Sequence, residues 1–189
     1  MSRVARAAAY AARLHDGQTR PGTAAPKMAH LLGVTANVLE DAGRHDAVDE
    51  EEAVAALLHD AAEDGGGRER LDDIRRRFGH RVAEIVEALS DSLDHEPPPW
   101  RVRKEAYLRS LHGEERPSVL RVSLADKLDN IRAIVAAHLI HGDAFWDRFH
   151  PRDDTLWYYG TLADLFSEKA PGPMAEELQS SVARLRGGS

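Results

Sequence analysis

The segment AVAALLHDAAED, residues 53–64, ends in four side chains that could carry out chemistry. His59 and Asp60 follow an apolar run, and Glu63 and Asp64 stand within the next turn. Side chains four positions apart share a helix face, so the segment predicts two adjacent polar rows. Three carboxylates near the C-terminus of a helix also oppose its macrodipole. A divalent cation would offset that charge, whereas the alternative interpretation is a solvated acidic helix end.

A carboxylate inside a largely apolar helix is the second candidate, in SVLRVSLADKLDNIRAIV, residues 118–135. Helical periodicity places Asp126 and Asn130 on a stripe of apolar residues, where an unpaired charge is costly. The adjacent Lys127 projects about 100° away around the helix, and we expect it not to pair with Asp126. Taken alone, Asp126 is equally consistent with a metal site and with an ion pair to a distant arginine.

The third candidate is His30, which shares a helix face with Val34 and Val38. A lone histidine on an apolar face is more often a core residue than a ligand. Here it opens an ordered set, followed by the His-Asp pair and then by the aspartate of the apolar helix. Two imidazoles and two carboxylates form a mixed nitrogen and oxygen site that suits Mn, Fe or Zn, with positions left for water and substrate. Such a site is typical of hydrolysis.

The elements that must position these residues are helices, because apolar residues recur at helical spacing and no stretch alternates with period two. We predict an all-α, compact, single domain spanning residues 1–189, with residues 187–189 disordered. The predicted helices cover roughly 3–15, 27–43, 49–64, 69–78, 80–92, 100–112, 117–141, 154–168 and 173–186. Glycine-rich and proline-rich segments separate them.

Composition excludes several classes of function. The sequence of 189 residues has no cysteine, so thiolate metal sites, disulfides and cysteine nucleophiles are excluded. A net charge of -7 argues against nucleic acid as the partner. No apolar run approaches a membrane span and the start lacks a secretory signal, so we expect a soluble cytoplasmic protein without a membrane partner. Oligomeric state cannot be predicted.

Six segments of the sequence resemble the HD-superfamily phosphohydrolases, and more closely the hydrolase domain of RelA/SpoT-type enzymes and the small alarmone hydrolases. The segments are HDGQTR at 15–20, PKMAHLLGV at 26–34, LLHDAAED at 57–64, FGHRVAEIVEALSD at 78–91, RKEAY at 103–107 and VSLADKLDNIR at 122–132. The resemblance implies the helical HD-domain fold and hydrolysis of the 3′-pyrophosphate of guanosine tetra- or pentaphosphate. Manganese is the usual ion, with Fe²⁺ or Zn²⁺ as alternatives.

The resemblance also implies roles for individual residues. Matching positions make the metal ligands His30, His59, Asp60 and Asp126. Glu63 and Asp64 match the acidic pair that orients and activates the attacking water. The implied substrate contacts are Arg20, which stacks on guanine, Asn130 at the nucleotide, Tyr158 in the nucleotide pocket, and the basic pair Arg103 and Lys104 near the phosphates.

Departures from the family pattern bear on the substrate. The family has Arg-Lys after its GQ motif and PY…HP at the first ligand, whereas this chain has Arg20-Pro21 and Pro26-Lys27…His30-Leu31. We hypothesise that Lys27 restores the lost positive charge and binds substrate. Asp129 stands where the family often has His or Tyr. The alternatives are therefore an HD phosphatase acting on another nucleotide, such as a nucleoside monophosphate or NADPH, and a metal-holding nucleotide sensor without catalysis.

Overall fold

The fold consists of helices, as the apolar periodicity predicts. The computed structural model describes residues 2–44, 49–94 and 96–187, and within these ranges it contains ten α-helices and one 3-10 helix, without a β-strand. The α-helices are α1 (Arg3–Leu14), α2 (Lys27–Arg44), α3 (Glu50–Leu58), α4 (Ala61–Asp64), α5 (Gly67–Phe78), α6 (His80–Leu89), α7 (Trp100–His112), α8 (Pro117–His141), α9 (Arg152–Lys169) and α10 (Pro173–Gly187). The 3-10 helix covers Gly142–Arg148.

Local sequence explains where the site-bearing helices begin. The Asp49 side chain accepts a hydrogen bond from the Glu51 backbone N–H at 2.8 Å and caps α3. Pro117 occupies the first position of α8, where its missing N–H has no helical partner to lose. Gly79, with φ of 102°, makes the turn between α5 and α6. Asp49 and Pro117 thus mark the starts of α3 and α8, the first of which precedes and the second of which carries candidate ligands.

Helix α8 forms the centre of the fold. It packs against α2, α3, α6, α9 and α10. Apolar residues such as Val122, Ala125, Leu128 and Ile131 are all fully buried on it, although they point in different directions around its axis. Because α8 is enclosed on most of its circumference, a charged side chain on its inner turns has to find a partner inside the protein.

The predicted helix 49–64 is the main error in the predicted elements, because the structure divides it at His59 and Asp60 into α3 and α4. The 3-10 helix after α8 was also not predicted. Other boundaries differ from the prediction by no more than three residues. Gly187 ends α10, and Gly188 and Ser189 lie outside the described residues. No helix in the described ranges has the length and apolar character needed to cross a lipid bilayer.

Candidate metal centre

His59 and Asp60 occupy a break between two helices. His59 has helical backbone angles, with φ of -59° and ψ of -35°, whereas Asp60 departs from them with φ of -87° and ψ of -7°. In a straight helix, consecutive side chains diverge by about 100°. At this break Asp60 Oδ1 instead lies 3.2 Å from His59 Nε2. Two adjacent residues can therefore face the same point in space.

His30 on α2 and Asp126 on α8 complete a cluster with this pair. The Nε2 atoms of His30 and His59 lie 3.2 Å apart. Asp126 Oδ1 lies 3.3 Å from His30 Nε2 and 3.6 Å from His59 Nε2. Asp60 Oδ2 lies 3.5 Å from His30 Nε2. The structure thus brings together the four side chains that the sequence predicts as ligands, although they come from three separate parts of the chain.

The other ring nitrogen of each histidine is already engaged. His59 Nδ1 lies 2.8 Å from the carbonyl oxygen of Ala56, in the last turn of α3 where carbonyls lack helical partners. A carbonyl only accepts hydrogen bonds, so the neutral ring carries its proton on Nδ1. His30 Nδ1 lies 2.7 Å from Asp129 Oδ2 and is assigned in the same way. When both rings are neutral, the form that binds a metal ion, the lone pairs of their Nε2 atoms therefore point toward each other.

This arrangement fits a divalent cation. Lone pairs that face each other at such a distance repel unless positive charge lies between them. Nitrogen and oxygen ligands bind ions such as Zn²⁺ at about 2.0–2.2 Å, so donors around one ion lie about 3.0–3.5 Å apart, close to the separations in this cluster. His30, His59 and Asp60 form a group that can hold a metal ion. Asp126 Oδ1 faces the same two nitrogens from the opposite helix.

The pKa values of the cluster show its excess of negative charge. Burial alone would lower the pKa of His30, but hydrogen bonds to Asp126, Asp129 and Asp60 outweigh it and raise the pKa to about 10. Burial likewise opposes the charge from Asp60 and the hydrogen bond to Asp126, which raise the pKa of His59 to about 9. The pKa of Asp126 lies well below its usual value, since Lys127 and the histidines outweigh its burial. The cluster attracts positive charge, which protons or a metal ion can supply.

Asp126 uses its second oxygen for an ion pair that we did not expect. Lys127 Nζ lies 2.6 Å from Asp126 Oδ2 and 4.7 Å from the centre of the Tyr107 ring. The expectation that Lys127 points away from Asp126 is wrong, because the flexible four-carbon side chain folds back across the helix surface. Asn130 Nδ2 donates to Asp126 Oδ1 at 2.6 Å. The carboxylate is thus fixed from two sides.

Glu63 and Asp64 leave the cluster in different directions. Glu63 Oε2 accepts a hydrogen bond from the Asp91 backbone N–H at 3.0 Å, and its other oxygen lies 3.4 Å from Arg103. Burial and the neighbouring Asp91 carboxylate raise the pKa of Glu63. Asp64 Oδ2 instead lies 2.9 Å from Lys27 Nζ. The two acidic residues therefore have separate environments and cannot be interchangeable.

Lys27 contacts the cluster directly. Its Nζ lies 2.7 Å from Asp60 Oδ2 and 2.9 Å from Asp64 Oδ2, and these carboxylates outweigh burial to raise its pKa. Only 14% of the Lys27 side chain is exposed. The hypothesis that Lys27 binds substrate stays a prediction, and the structure adds that the ammonium group already bridges two carboxylates.

The basic pair on α7 is likewise held by carboxylates. Lys104 contacts Asp91, and its Nζ lies 5.1 Å from the centre of the Tyr158 ring. Arg103 lies 3.4 Å from both Glu63 and Asp91. Tyr158 is 2% exposed, and its hydroxyl group has no hydrogen-bond partner among the described residues. The substrate contacts assigned to these residues stay predictions.

Arg20 and Asn130 stand at a small cavity beside the cluster. The cavity has a volume of about 70 Å³ and includes Phe145, Phe149 and Tyr159 in its lining. Arg20 donates to Asp129 Oδ2 at 2.6 Å and to Asn130 Oδ1 at 3.3 Å. A cavity of about 250 Å³ near Arg121 and Lys169 contains none of the predicted site residues. Among larger cavities, one of about 800 Å³ includes Arg20 and one of about 330 Å³ includes Arg103, but neither includes a predicted metal ligand. The position of a residue relative to the cluster, rather than cavity size, therefore identifies the site.

Sequence reasoning missed three residues around the cluster. Asp129 contacts both His30 and Arg20, Asp91 contacts the basic pair, and Lys127 pairs with Asp126. Asp129 follows Asp126 by three residues, a spacing that places both on neighbouring parts of one helix face. That spacing was the available signal for Asp129. Asp91 lies in a loop after α6, where periodicity gives no direction for a side chain.

Comparison with known proteins connects this geometry to a family. The sequence profile described as "HD domain" matches residues 7–142. Guanosine-3′,5′-bis(diphosphate) 3′-pyrophosphohydrolase of Aquifex aeolicus is 30% identical over 133 residues, which cover 69% of this chain and 18% of that protein. The bifunctional (p)ppGpp synthase/hydrolase SpoT of Escherichia coli K12 is 31% identical over 141 residues, covering 71% and 18%. The chain thus spans less than a fifth of the length of these curated relatives.

Solved structures show the same fold. A metazoan ortholog of SpoT, described as hydrolysing ppGpp, superposes with a TM-score of 0.78 at 23% identity, covering 100% of this chain and 98% of that one. A protein of Listeria monocytogenes EGD-e superposes with a TM-score of 0.63 at 27% identity, covering 84% of this chain and 97% of that one. The predicted helical HD-domain fold is therefore confirmed.

Proposed function

This chain belongs to the HD domain family, and from that premise we propose that it is a metal-dependent phosphohydrolase that removes pyrophosphate from the 3′ position of guanosine 3′,5′-bis(diphosphate). The observation that carries the proposal is the meeting of two imidazole nitrogens, 3.2 Å apart, with the oxygens of Asp60 and Asp126. The names of the curated relatives support the choice of substrate.

The proposed ligands are His30, His59, Asp60 and Asp126, and the proposed ion is Mn²⁺, with Fe²⁺ or Zn²⁺ as alternatives. Such an ion supplies a Lewis acid for a phosphoryl oxygen and lowers the pKa of a bound water molecule. The protein supplies fixed nitrogen donors, because the Nδ1 contacts hold both rings in orientation. Burial of His30, His59 and Asp126 keeps bulk water away from three of the four donors.

Glu63 is the proposed proton acceptor for the attacking water. Its pKa is raised by burial and by Asp91, and a base is most effective when its pKa approaches the working pH. The Asp91 backbone N–H and the Arg103 guanidinium fix both carboxylate oxygens. Asp64 is proposed to act with it by orienting the water, while Lys27 restrains the Asp64 carboxylate.

The proposed partner is a small nucleotide, with no nucleic acid. The lining of the cavity beside Asn130 includes Arg20 and the aromatic rings of Phe145, Phe149 and Tyr159, on which a base could stack. Asn130 links this cavity to the cluster, because its amide group donates to Asp126. A nucleotide whose base is held near Arg20 can therefore extend its phosphates toward the proposed ion. Arg103 and Lys104 would meet phosphate groups farther out.

A second candidate, an HD phosphatase acting on a nucleotide with fewer phosphates, is favoured by one observation. Lys27 and Lys104 are each paired with carboxylates, Lys27 with Asp60 and Asp64 and Lys104 with Asp91. This pairing leaves less positive charge for a pyrophosphate group than the number of basic residues suggests. A nucleoside monophosphate or NADPH would place smaller demands on these cations.

One experiment separates the candidates. Metal-free protein is incubated with and without Mn²⁺ against guanosine tetraphosphate, nucleoside monophosphates and NADPH, and the products are resolved by anion-exchange chromatography. Release of pyrophosphate from guanosine tetraphosphate supports the leading proposal, and orthophosphate from another nucleotide supports the second candidate. Nucleotide binding without turnover would point to a sensor and would contradict both enzymatic proposals.

A further inference from the structure

Asp129 holds two site residues through one oxygen. Its Oδ2 atom lies 2.7 Å from His30 Nδ1 and accepts a hydrogen bond from Arg20 Nη1 at 2.6 Å. Arg20 Nη2 also donates to the backbone carbonyl of Asp129 at 3.2 Å. The Asp129 side chain is 15% exposed, so solvent competes weakly for this oxygen. The carboxylate is therefore clamped between an imidazole ring and a guanidinium group.

Gly33 on α2 provides the space for this carboxylate. A Cβ atom at position 33 would overlap Asp129 Oδ1 and would lie 3.2 Å from Asp129 Cγ. Glycine in a helix interior is destabilising by about 1 kcal/mol relative to alanine, so a packing reason is expected for it. Gly43 on the same helix has nothing within 4 Å of such a Cβ atom. The contact with Asp129 distinguishes Gly33 from this second glycine.

We propose that Gly33 and Asp129 act as a pair that positions His30 for the divalent ion, with Arg20 restraining the carboxylate from the other side. This proposal rests on the metal site of the proposed function. A carboxylate that accepts the Nδ1 proton of a ligand histidine fixes its tautomer and ring orientation and makes Nε2 a stronger donor. Asp129 therefore acts through His30 as a positioning residue. Because Arg20 donates to the same oxygen, displacement of the Asp129 carboxylate would also remove one of the three hydrogen bonds that hold the arginine.

The test measures Mn²⁺ affinity directly, by counting free Mn²⁺ with electron paramagnetic resonance in titrations of metal-free protein. The variants are Asp129→Ala, Asp129→Asn, Gly33→Ala and the double variant Gly33→Ala/Asp129→Ala, with Gly43→Ala as the matched control. Partners of ligand histidines typically affect metal affinity by about 10–100-fold. We expect a loss of that size for both Asp129 variants and a loss in the same direction for Gly33→Ala.

The double variant tests whether the two residues act together. Because alanine at position 129 removes the group that a Cβ at position 33 would displace, Gly33→Ala should cause no further loss in that background. Gly43→Ala should keep wild-type affinity. Circular dichroism of the metal-free proteins identifies a temperature at which all variants are folded, and the titrations are made there.

Three results would overturn the proposal. Wild-type affinity in Asp129→Ala would show that His30 needs no positioning carboxylate, while the wild-type metal site and the proposed function would stand. Lower thermal stability of the Asp129 variants with unchanged affinity would indicate a structural role alone. Failure of the wild-type protein to bind Mn²⁺, Fe²⁺ or Zn²⁺ would instead remove the proposed function, and the positioning role with it.

Discussion

Replacing Asp126 by alanine should remove a metal ligand and expose the cost of a buried ion pair in the same variant. Asp126 Oδ1 faces the two histidine nitrogens, whereas Oδ2 lies 2.6 Å from Lys127 Nζ. The two side chains of this ion pair are 6% and 9% exposed. Asp126→Ala therefore leaves the Lys127 ammonium group buried beside the Tyr107 ring without its carboxylate.

The size of the effect follows from that burial. Removing one partner of a buried ion pair costs about 3–5 kcal/mol. In a domain of this size, 1 kcal/mol changes the melting temperature by about 2–4 °C. Metal-free Asp126→Ala should therefore melt about 6–20 °C below the metal-free wild type. Replacing a whole buried pair by apolar residues is often neutral, so Asp126→Ala/Lys127→Met should recover most of the loss.

Thermal unfolding with chelator and with Mn²⁺ separates the two roles. Free Mn²⁺ at 100 times its dissociation constant should stabilise the wild type by about 2.7 kcal/mol, or about 5–11 °C. Mn²⁺ should not raise the melting temperature of either variant, and neither variant should turn over substrate, although the double variant is stable. If Mn²⁺ raises the melting temperature of the double variant as much as that of the wild type, Asp126 is not a ligand. If metal-free Asp126→Ala melts with the wild type, the ion-pair argument is wrong.

Three further predictions concern catalysis, substrate and pH. Glu63→Gln should keep the Mn²⁺-induced rise in melting temperature and lose about 10²–10⁴-fold in kcat, and unchanged kcat would exclude it as the base. Lys27→Ala should raise KM for guanosine tetraphosphate, because it removes a cation from the site, and an unchanged KM in steady-state assays would remove this hypothesis. The pKa of His30 is raised from 6.5 to about 10, so its stabilising protonation is complete below pH 6.5 and is lost as the pH rises toward 10. In chelator, the melting temperature should fall over that pH interval, and a rise in melting temperature would contradict the assignment to His30. Mn²⁺ affinity should increase over the same interval, since the ion displaces protons.

The helices could be predicted because their apolar residues recur with the helical period, and α7 and α8 were predicted with the bounds that the structure has. The break at His59 and Asp60 could not be predicted in this way. Periodicity indicates which face of a helix is buried, but it does not reveal a single residue whose backbone angles depart from helical values. The His59 Nδ1–H group donates a hydrogen bond to the Ala56 carbonyl, which a regular helix would use for its own backbone bonding. The sequence pattern does not show this contact.

The candidate ligands were predicted because their types and order in the sequence are specific, whereas their supporting contacts depend on tertiary packing. Asp129 is 99 residues from His30, and its spacing of three from Asp126 is the only local signal that they meet. No turn signal surrounds Gly33. The need for a glycine at this position follows from the packing of α8 against α2. The ion pair of Lys127 could not be predicted for a different reason. A helical wheel gives the direction of Cβ, but it does not give the position of the end of a long side chain.

Adjacent ligands have a consequence for protein engineering. Because His59 and Asp60 reach the same point only through the flattened backbone between α3 and α4, the dipeptide alone does not specify an ion site. Grafted onto an unbroken helix of another bundle, one of the two side chains would face the interior and its neighbour would turn toward solvent. A transferable unit would have to include the interruption itself, from Ala56 to Asp64, together with the opposing helix.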